Sequence, residues 1–292
     1  MRSGSDPDLV AALHAIADHD WNSARSLAVA AAERAPHGLA SALADGLSAG
    51  TAAGVYEDPT AFDVFISNGT NPALYAATSR HLASLHEQLE PHRVLDIGCG
   101  DGRVTAAVVG ATTEHTDLVE PSEALLQQAA DRMAIAGADV MLHGLGAVEF
   151  LATSDENVRW DLAQSTFAFH SLAPADRRAA MRMLSTRAQH LVLVEFDVPD
   201  ASVLADRDAL LRSLAERYDV GVREYRAHPN AVSGFLVPVL LGLLDPDRPR
   251  HTYEQSAAQW QSDLGDMGFT GTSVTALYDY WWSPAVAIHA ST

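Results

Sequence analysis

The feature that most constrains this chain is Val94-Leu95-Asp96-Ile97-Gly98-Cys99-Gly100-Asp101-Gly102-Arg103, an apolar run that carries one acid and then breaks into alternating glycines. Pro91-His92-Arg93 precedes it, and Val104-Thr105-Ala106-Ala107-Val108-Val109 follows as a buried helix face, so the local order is strand, glycine loop, helix. Glycine lacks a β-carbon, so Gly98, Gly100 and Gly102 can take positive φ and let a ligand lie directly against the backbone. That order marks a ligand site.

Spacing then separates the candidate ligands. A dinucleotide fingerprint, G-x-G-x-x-G, would need its third glycine at position 103, where this chain has Arg103. The pattern here is D-x-G-x-G-x-G, which resembles the first motif of the class I S-adenosylmethionine-dependent methyltransferases. The resemblance implies a glycine turn that passes under the methionine and ribose parts of S-adenosyl-L-methionine, with S-adenosyl-L-homocysteine as the product. It makes Asp96, Gly98, Cys99 and Gly100 cofactor-binding residues. That ligand carries no phosphate, so no pyrophosphate has to be cradled at a helix N-terminus.

Downstream the order continues. Thr116–Glu120 reads as a second strand, and Glu120 at its end, followed by Pro121, stands where a doubly wound fold offers a carboxylate to a ribose diol. Ala138–Gly144 reads as a third strand leading through Leu145-Gly146-Ala147 into a helix over 148–151. Many family members place an acid there for the adenine amino group. Here Leu145 and Gly146 take its place, so adenine would be held by apolar contact and backbone groups. Trp160–Leu172 resembles the family's fourth strand and its loop, which brings Gln164, Ser165, Phe167 and His170 toward the pocket. His170 is the leading catalytic candidate, because an imidazole titrating near about 6.5 suits taking a proton from a hydroxyl, amine or ring nitrogen. A loop hydrogen bond is its rival role.

Leu191–Asp197 is a near-continuous apolar run of the kind a two-sided parallel sheet needs. Ser273–Tyr278 and Ala285–Ala290 close the chain as two strands. The fold class expected is α/β: a Rossmann-like, doubly wound, mostly parallel seven-stranded sheet with a C-terminal antiparallel hairpin, an N-terminal helical arm and a helical insertion. Residues 1–88 would form the arm or cap, and 89–292 the cofactor-binding domain with its insertion at about 220–265.

The arm is Ala-rich with helical spacing. Asp6-Pro7 reads as a helix start, Leu9, Leu13 and Ile16 lie on one face, and Leu27, Val29 and Ala30 on another. Tyr56, Phe62, Phe65 and Tyr75 bring aromatic side chains before the motif, and Tyr75 and Asn71 are candidates to face the cofactor. Beyond the fifth strand, Asp200-Ala201-Ser202 starts a charged helix that runs to about Tyr218. The run Phe235–Leu244, broken by Pro238 and Gly242, is too short to span a bilayer and reads as a pocket wall or a subunit interface. His228 is a second base candidate, and helix-end packing is its rival role. Thr252–Met267 is amphipathic with Trp260 and Leu264 on one side, Asp245–Arg250 before it is a turn, and Trp281-Trp282 packs in the closing hairpin or lines a pocket.

With 38 acidic against 19 basic residues, the formal charge of −19 repels phosphate backbones and anionic lipid, which leaves a neutral or cationic small molecule as partner. The single cysteine, Cys99, suits a reducing cytoplasm, and Met1-Arg2-Ser3-Gly4-Ser5-Asp6 leads into no long apolar core. A homodimer is compatible with the helical arm. No HExxH, CxxC or G-x-S-x-G is present, and no metal site is expected among the 13 scattered histidines. The expected function is methyl transfer to oxygen, nitrogen or an electron-rich ring carbon, such as that of an indole, on a small hydrophobic molecule of secondary metabolism. Two alternatives stay open: a cofactor-binding cyclase or rearrangement enzyme that does not methylate, and a nicotinamide oxidoreductase.

Overall fold

A computed structural model describes residues 6–49, 59–199, 206–245 and 252–292; Met1-Arg2-Ser3-Gly4-Ser5, Tyr56, the start at Asp200-Ala201-Ser202, most of the Asp245–Arg250 turn and the side chain of Phe62 lie outside it. The chain divides into two compact units, one of residues 74–198, 251–279 and 283–292, and one of residues 1–73, 199–250 and 280–282.

The first unit is a sheet of seven strands: β1 (Arg93–Ile97), β2 (His115–Val119), β3 (Val140–His143), β4 (Trp160–Thr166), β5 (Ala188–Phe196), β6 (Gly271–Tyr278) and β7 (Ala285–Ser291). Their order is β3-β2-β1-β4-β5-β7-β6, parallel from β3 to β5, with β7 antiparallel to both β5 and β6. This is the Rossmann-like sheet with its closing hairpin that the sequence predicts. Leu191–Val194 is buried on both sides because Leu191 and Leu193 face Trp160, Met181 and Trp260, while Val192 and Val194 face Leu82, Leu85 and Val108. The chain leaves β1 toward β2 and later returns on β1's other side as β4. The carboxyl ends of β1 and β4 therefore form the switch point, where sheets of this class bind ligands.

Two helices of this unit are shorter than their sequence patterns. The one after the glycine loop spans only Thr105–Val108, because Val109 turns extended ahead of Gly110. Within Thr252–Met267 the helix starts at Ala257, since the Ser256 side chain caps it by accepting from Gln259 N at 3.2 Å. Trp260 and Leu264 are buried as the spacing predicts.

The second unit is helical. Asp6 caps Pro7–Ala17 by accepting from Asp8 N and Leu9 N, with Pro7 in the first turn, and Leu9, Leu13 and Ile16 are buried. In Trp21–Arg34 the buried stripe is Ala24, Ala28 and Ala31, not Leu27, Val29 and Ala30; Val29 is 44% exposed. The helical period explains this, since positions 24, 28 and 31 share a face and 27, 29 and 30 do not. Leu39–Ala49 and Pro59–Ser67 follow. The charged helix is Arg207–Glu224, capped by Asp206 and running past Tyr218. The apolar run becomes a π-turn, Val232–Leu236, and a helix, Val237–Leu244, whose Val237, Leu240, Leu241 and Leu244 lie in this unit's own core with Leu13, Leu43 and Leu211. Its large side chains are spent on that core rather than on a wall. Trp281 and Trp282 likewise pack in the helical unit, edge-on to Tyr218, and the Trp281 ring lies so close to Gly221 that a Cβ there would stand 2.9 Å from it. Among the described residues no helix is long and apolar enough to cross a membrane.

Candidate functional site

The loop after β1 carries three glycines at positive φ: Gly98 at +70°, Gly100 at +55° and Gly102 at +71°. Their reasons differ. A Cβ on Gly98 would stand 2.3 Å from the Cβ of Ala168, where the loops after β1 and β4 touch, and one on Gly102 would stand 2.8 Å from the Ala129 backbone. Around Gly100 no atom comes within 4 Å of that position, so here the turn faces open space. Gly98 N and Cys99 N both donate to Val119 O, at 2.8 and 3.2 Å, which fixes the loop over the end of β2.

Arg103 clamps this loop. It donates to both oxygens of Asp101 at 2.8 to 3.0 Å, its guanidinium lies 5.2 Å from the Tyr75 ring centre, and Arg132 reaches Asp101 at 3.0 Å. Burial tends to raise the Asp101 pKa, but the bonds and charges of Arg103 and Arg132 win and hold it below the usual value. Burial, helped by the Asp96 and Glu120 charges, pushes the Cys99 thiol far up, so it is no nucleophile.

Asp96, 2% exposed, lies one residue before the end of β1, inside the protein. Its Oδ2 accepts from the Thr105 hydroxyl and, at 3.2 Å, from the Gln164 amide, while Oδ1 is buried with no hydrogen-bond partner. Burial, opposed by those two bonds, pushes its carboxyl up to about 6. Glu120 follows β2 directly. Its Oε2 accepts from Gly100 N at 3.2 Å and its Oε1 from Ser122 N at 3.0 Å, so it props the open turn and the start of the next helix. Each of its oxygens keeps a lone pair for a further donor. Pro121 is exposed beside it. Leu145, half-buried against Phe150's cluster, and Gly146, at the N-cap of Ala147–Thr153 with open space around it, form the corresponding edge after β3.

On β4, Gln164 and Ser165 lie deeper than the sequence reading places them. Gln164 is fully buried between Asp96 and His86, and Ser165 donates to Ile97 O at 2.7 Å. They tie β4 to β1 rather than opening onto a cavity. Phe167 holds φ at +51°, a conformation that costs a non-glycine residue on the order of 1–3 kcal/mol. Its ring stacks on Phe196 at 4.7 Å and meets Tyr75 edge-on at 5.9 Å.

His170 stands beyond this aromatic group in a short 3-10 turn, Phe169–Ser171. Its Nδ1 lies 2.7 Å from Glu195 Oε2, its backbone N donates to Glu195 Oε1 at 3.1 Å, and its carbonyl accepts from Tyr253 N at 2.6 Å. Burial lowers the imidazole pKa, but the facing Glu195 carboxylate, supported by Glu254, outweighs it and raises the net value. His228 lies in the helical unit, at the N-cap of Pro229–Ala231, where its N–H donates to Tyr225 O at 2.7 Å. Asn71, in the same unit, is spent on Phe65 O and Tyr225 Oη at 2.8 and 2.7 Å.

Sequence reading missed Thr105, Glu195, Phe196 and His86. Glu195 carried a usable signal, for it is an acid ending an apolar run, as Asp96 is. His86 carried a weaker one, sitting in the Leu82, Leu85, Leu89 stripe of its helix.

Residues 94–189 match the family model described as a methyltransferase domain. This segment is similar to a methyltransferase domain. It starts within β1 and ends in β5, and so holds the glycine loop, Glu120 and His170. Several solved structures are similar to this chain at low identity. A protein assigned as an O-methyltransferase from Nostoc punctiforme PCC 73102 has a TM-score of 0.50 and 17% identity, covering 74% of this chain and 56% of its own. The 1,6-didemethyltoxoflavin-N1-methyltransferase of Burkholderia thailandensis, solved with 1,6-didemethyltoxoflavin and S-adenosylhomocysteine, has 0.49 and 14%, covering 73% and 77%. Human N-acetylserotonin methyltransferase, in complex with SAM, has 0.45 and 11%, covering 73% and 51%. The chain thus spans little more than half the length of the Nostoc protein. No curated protein matches the sequence. The family and the fold read from the glycine motif are both borne out.

Proposed function

We propose that the chain is an S-adenosyl-L-methionine-dependent methyltransferase acting on a small, largely hydrophobic acceptor. The observation that carries this reading is the buried Asp96 Oδ1, without a partner, beside an open glycine turn at the switch point. The residues present fit the cofactor. An amino group satisfies Asp96 Oδ1, the bare backbone at Gly100 admits a ligand, the free lone pairs of Glu120 suit a diol, and Leu145 and Gly146 leave an apolar edge for a ring. When bound, S-adenosyl-L-methionine supplies a sulfonium methyl group that needs no further activation.

The chain's own work is then alignment, exclusion of water and handling of one proton. Tyr75, Phe167 and Phe196 supply an apolar surface that favours a flat, hydrophobic acceptor. Glu195 accepts the Nδ1 proton of His170 and leaves the lone pair on Nε2, which receives the proton of an acceptor hydroxyl, amine or ring nitrogen. His228 is the weaker base candidate, since its backbone is committed to a helix start. The formal charge of −19 supports a small neutral or cationic acceptor over a phosphate polymer. We place the protein in the cytoplasm and in secondary metabolism, with oxygen, nitrogen and ring carbon as target atoms.

The test is incubation with methyl-labelled S-adenosyl-L-methionine and a panel of phenols, amines and indoles. Label in an acceptor supports transfer. Cofactor binding with no labelled product across the panel would replace it with the non-methylating cyclase reading.

A further inference from the structure

His86 sits on the helix Asn71–Leu89, which carries Leu82 and Leu85 into the core, and is itself buried. Its Nε2 lies 3.1 Å from Gln164 Oε1, and the Gln164 amide nitrogen lies 3.2 Å from Asp96 Oδ2. The protons along this line follow from valence. An ionised carboxylate only accepts, so the amide must turn its nitrogen to Asp96; its carbonyl then faces His86, which must donate from Nε2. The proton is therefore on Nε2, and Nδ1, which has no hydrogen-bond partner, is the bare nitrogen. Burial lowers the imidazole pKa and keeps the ring neutral.

We infer that His86 is a positioning residue that, through the Gln164 amide, fixes the Asp96 carboxylate in its cofactor-receiving orientation. The ligand in that statement rests on the S-adenosyl-L-methionine reading; the relay itself does not. Three elements face Asp96. Thr105 after the glycine loop and Gln164 on β4 donate to it, while Glu120 after β2 repels its charge. No cation bonds it among the described residues, so neutral dipoles alone hold the charge, and their orientation matters accordingly. Without the His86 donor, Gln164 Oε1 is a buried acceptor with no partner, and the amide is free to turn its carbonyl toward Asp96.

The test compares wild type, His86→Leu and His86→Gln, whose amide restores a donor. In unliganded protein, carboxyl 13C NMR reads the Asp96 titration midpoint and imidazole 15N NMR reads the His86 tautomer; thermal denaturation verifies folding. The relay predicts the Nε2–H tautomer, an upward shift of the Asp96 midpoint in His86→Leu, and its return in His86→Gln. S-adenosyl-L-homocysteine affinity should fall ~10-fold in His86→Leu and recover in His86→Gln. An unshifted midpoint in folded His86→Leu, or an Nδ1–H tautomer, overturns the relay. If His86→Leu does not fold, the wild-type tautomer and the His86→Gln midpoint decide. A shifted midpoint without any S-adenosyl-L-homocysteine binding in wild type would overturn the cofactor reading and leave the relay standing.

Discussion

Asp96 on β1 and Asp117 on β2 are both buried acids on paired strands, yet their surroundings are opposite. Asp117 Oδ1 faces His143 Nε2 at 2.9 Å, and its Oδ2 accepts from Trp160 Nε1 at 2.8 Å and Arg93 at 3.4 Å. Both oxygens are engaged and a guanidinium balances the charge. Asp96 has two neutral donors on one oxygen, nothing on the other, and no counter-charge. A satisfied buried acid is part of the scaffold; an unsatisfied one is a cost that folding tolerates where a ligand completes it. The difference separates the middle of β2, which holds the fold, from the carboxyl end of β1, where we propose that the ligand binds.

The largest effect should come from the scaffold acid. Asp117→Ala leaves three donors facing nothing and should lower stability by about 3–4 kcal/mol in urea denaturation, with cofactor affinity little changed. Lost affinity at intact stability would make Asp117 a ligand residue rather than a scaffold one. Next, His170→Ala should lower kcat by about 100-fold while leaving S-adenosyl-L-homocysteine affinity intact, as measured by turnover and calorimetry. Since Glu195 raises the His170 pKa, the rate should fall on the acid side below that raised value, and Glu195→Gln should move this limb to lower pH. Asp96→Asn should invert the Asp117 result: stability kept or slightly raised, with affinity reduced ~30-fold, worth about 2 kcal/mol. Glu120→Ala should reduce affinity ~10-fold, since the lost carboxylate also props the Gly100 turn.

The smallest effect is one of pH. Asp96, pushed up to about 6, binds a proton more readily folded than unfolded, so it favours the fold at acid pH and that contribution is lost as pH rises from 3.8 through 6. Its attraction for an ammonium runs the other way. S-adenosyl-L-homocysteine affinity should weaken as pH falls through 6, and Asp96→Asn should lack this step.

The sheet was legible because each strand is an apolar run bounded by turn residues, and the glycine loop because its spacing has few other uses. Glu120 was legible as a polar residue at a strand end. Gln164 and Ser165 were not, since in a strand buried on both faces the alternation does not say whether a side chain meets a cavity or a neighbouring strand. Only the register of β4 against β1, with Gln164 opposite Asp96, settles it. His86 and Glu195 escaped for the same reason: each matters through a partner distant in sequence. Trp281 and Trp282 were misread because the Gly221 and Tyr218 positions that receive them belong to a helix far along the chain.

Calorimetric titration of the purified protein with S-adenosyl-L-methionine, S-adenosyl-L-homocysteine and NADH decides which cofactor the glycine loop receives. The two sulfur compounds should bind, NADH should not, and Asp96→Asn should weaken binding of both. Binding of NADH, or of neither sulfur compound, would contradict the S-adenosyl-L-methionine reading.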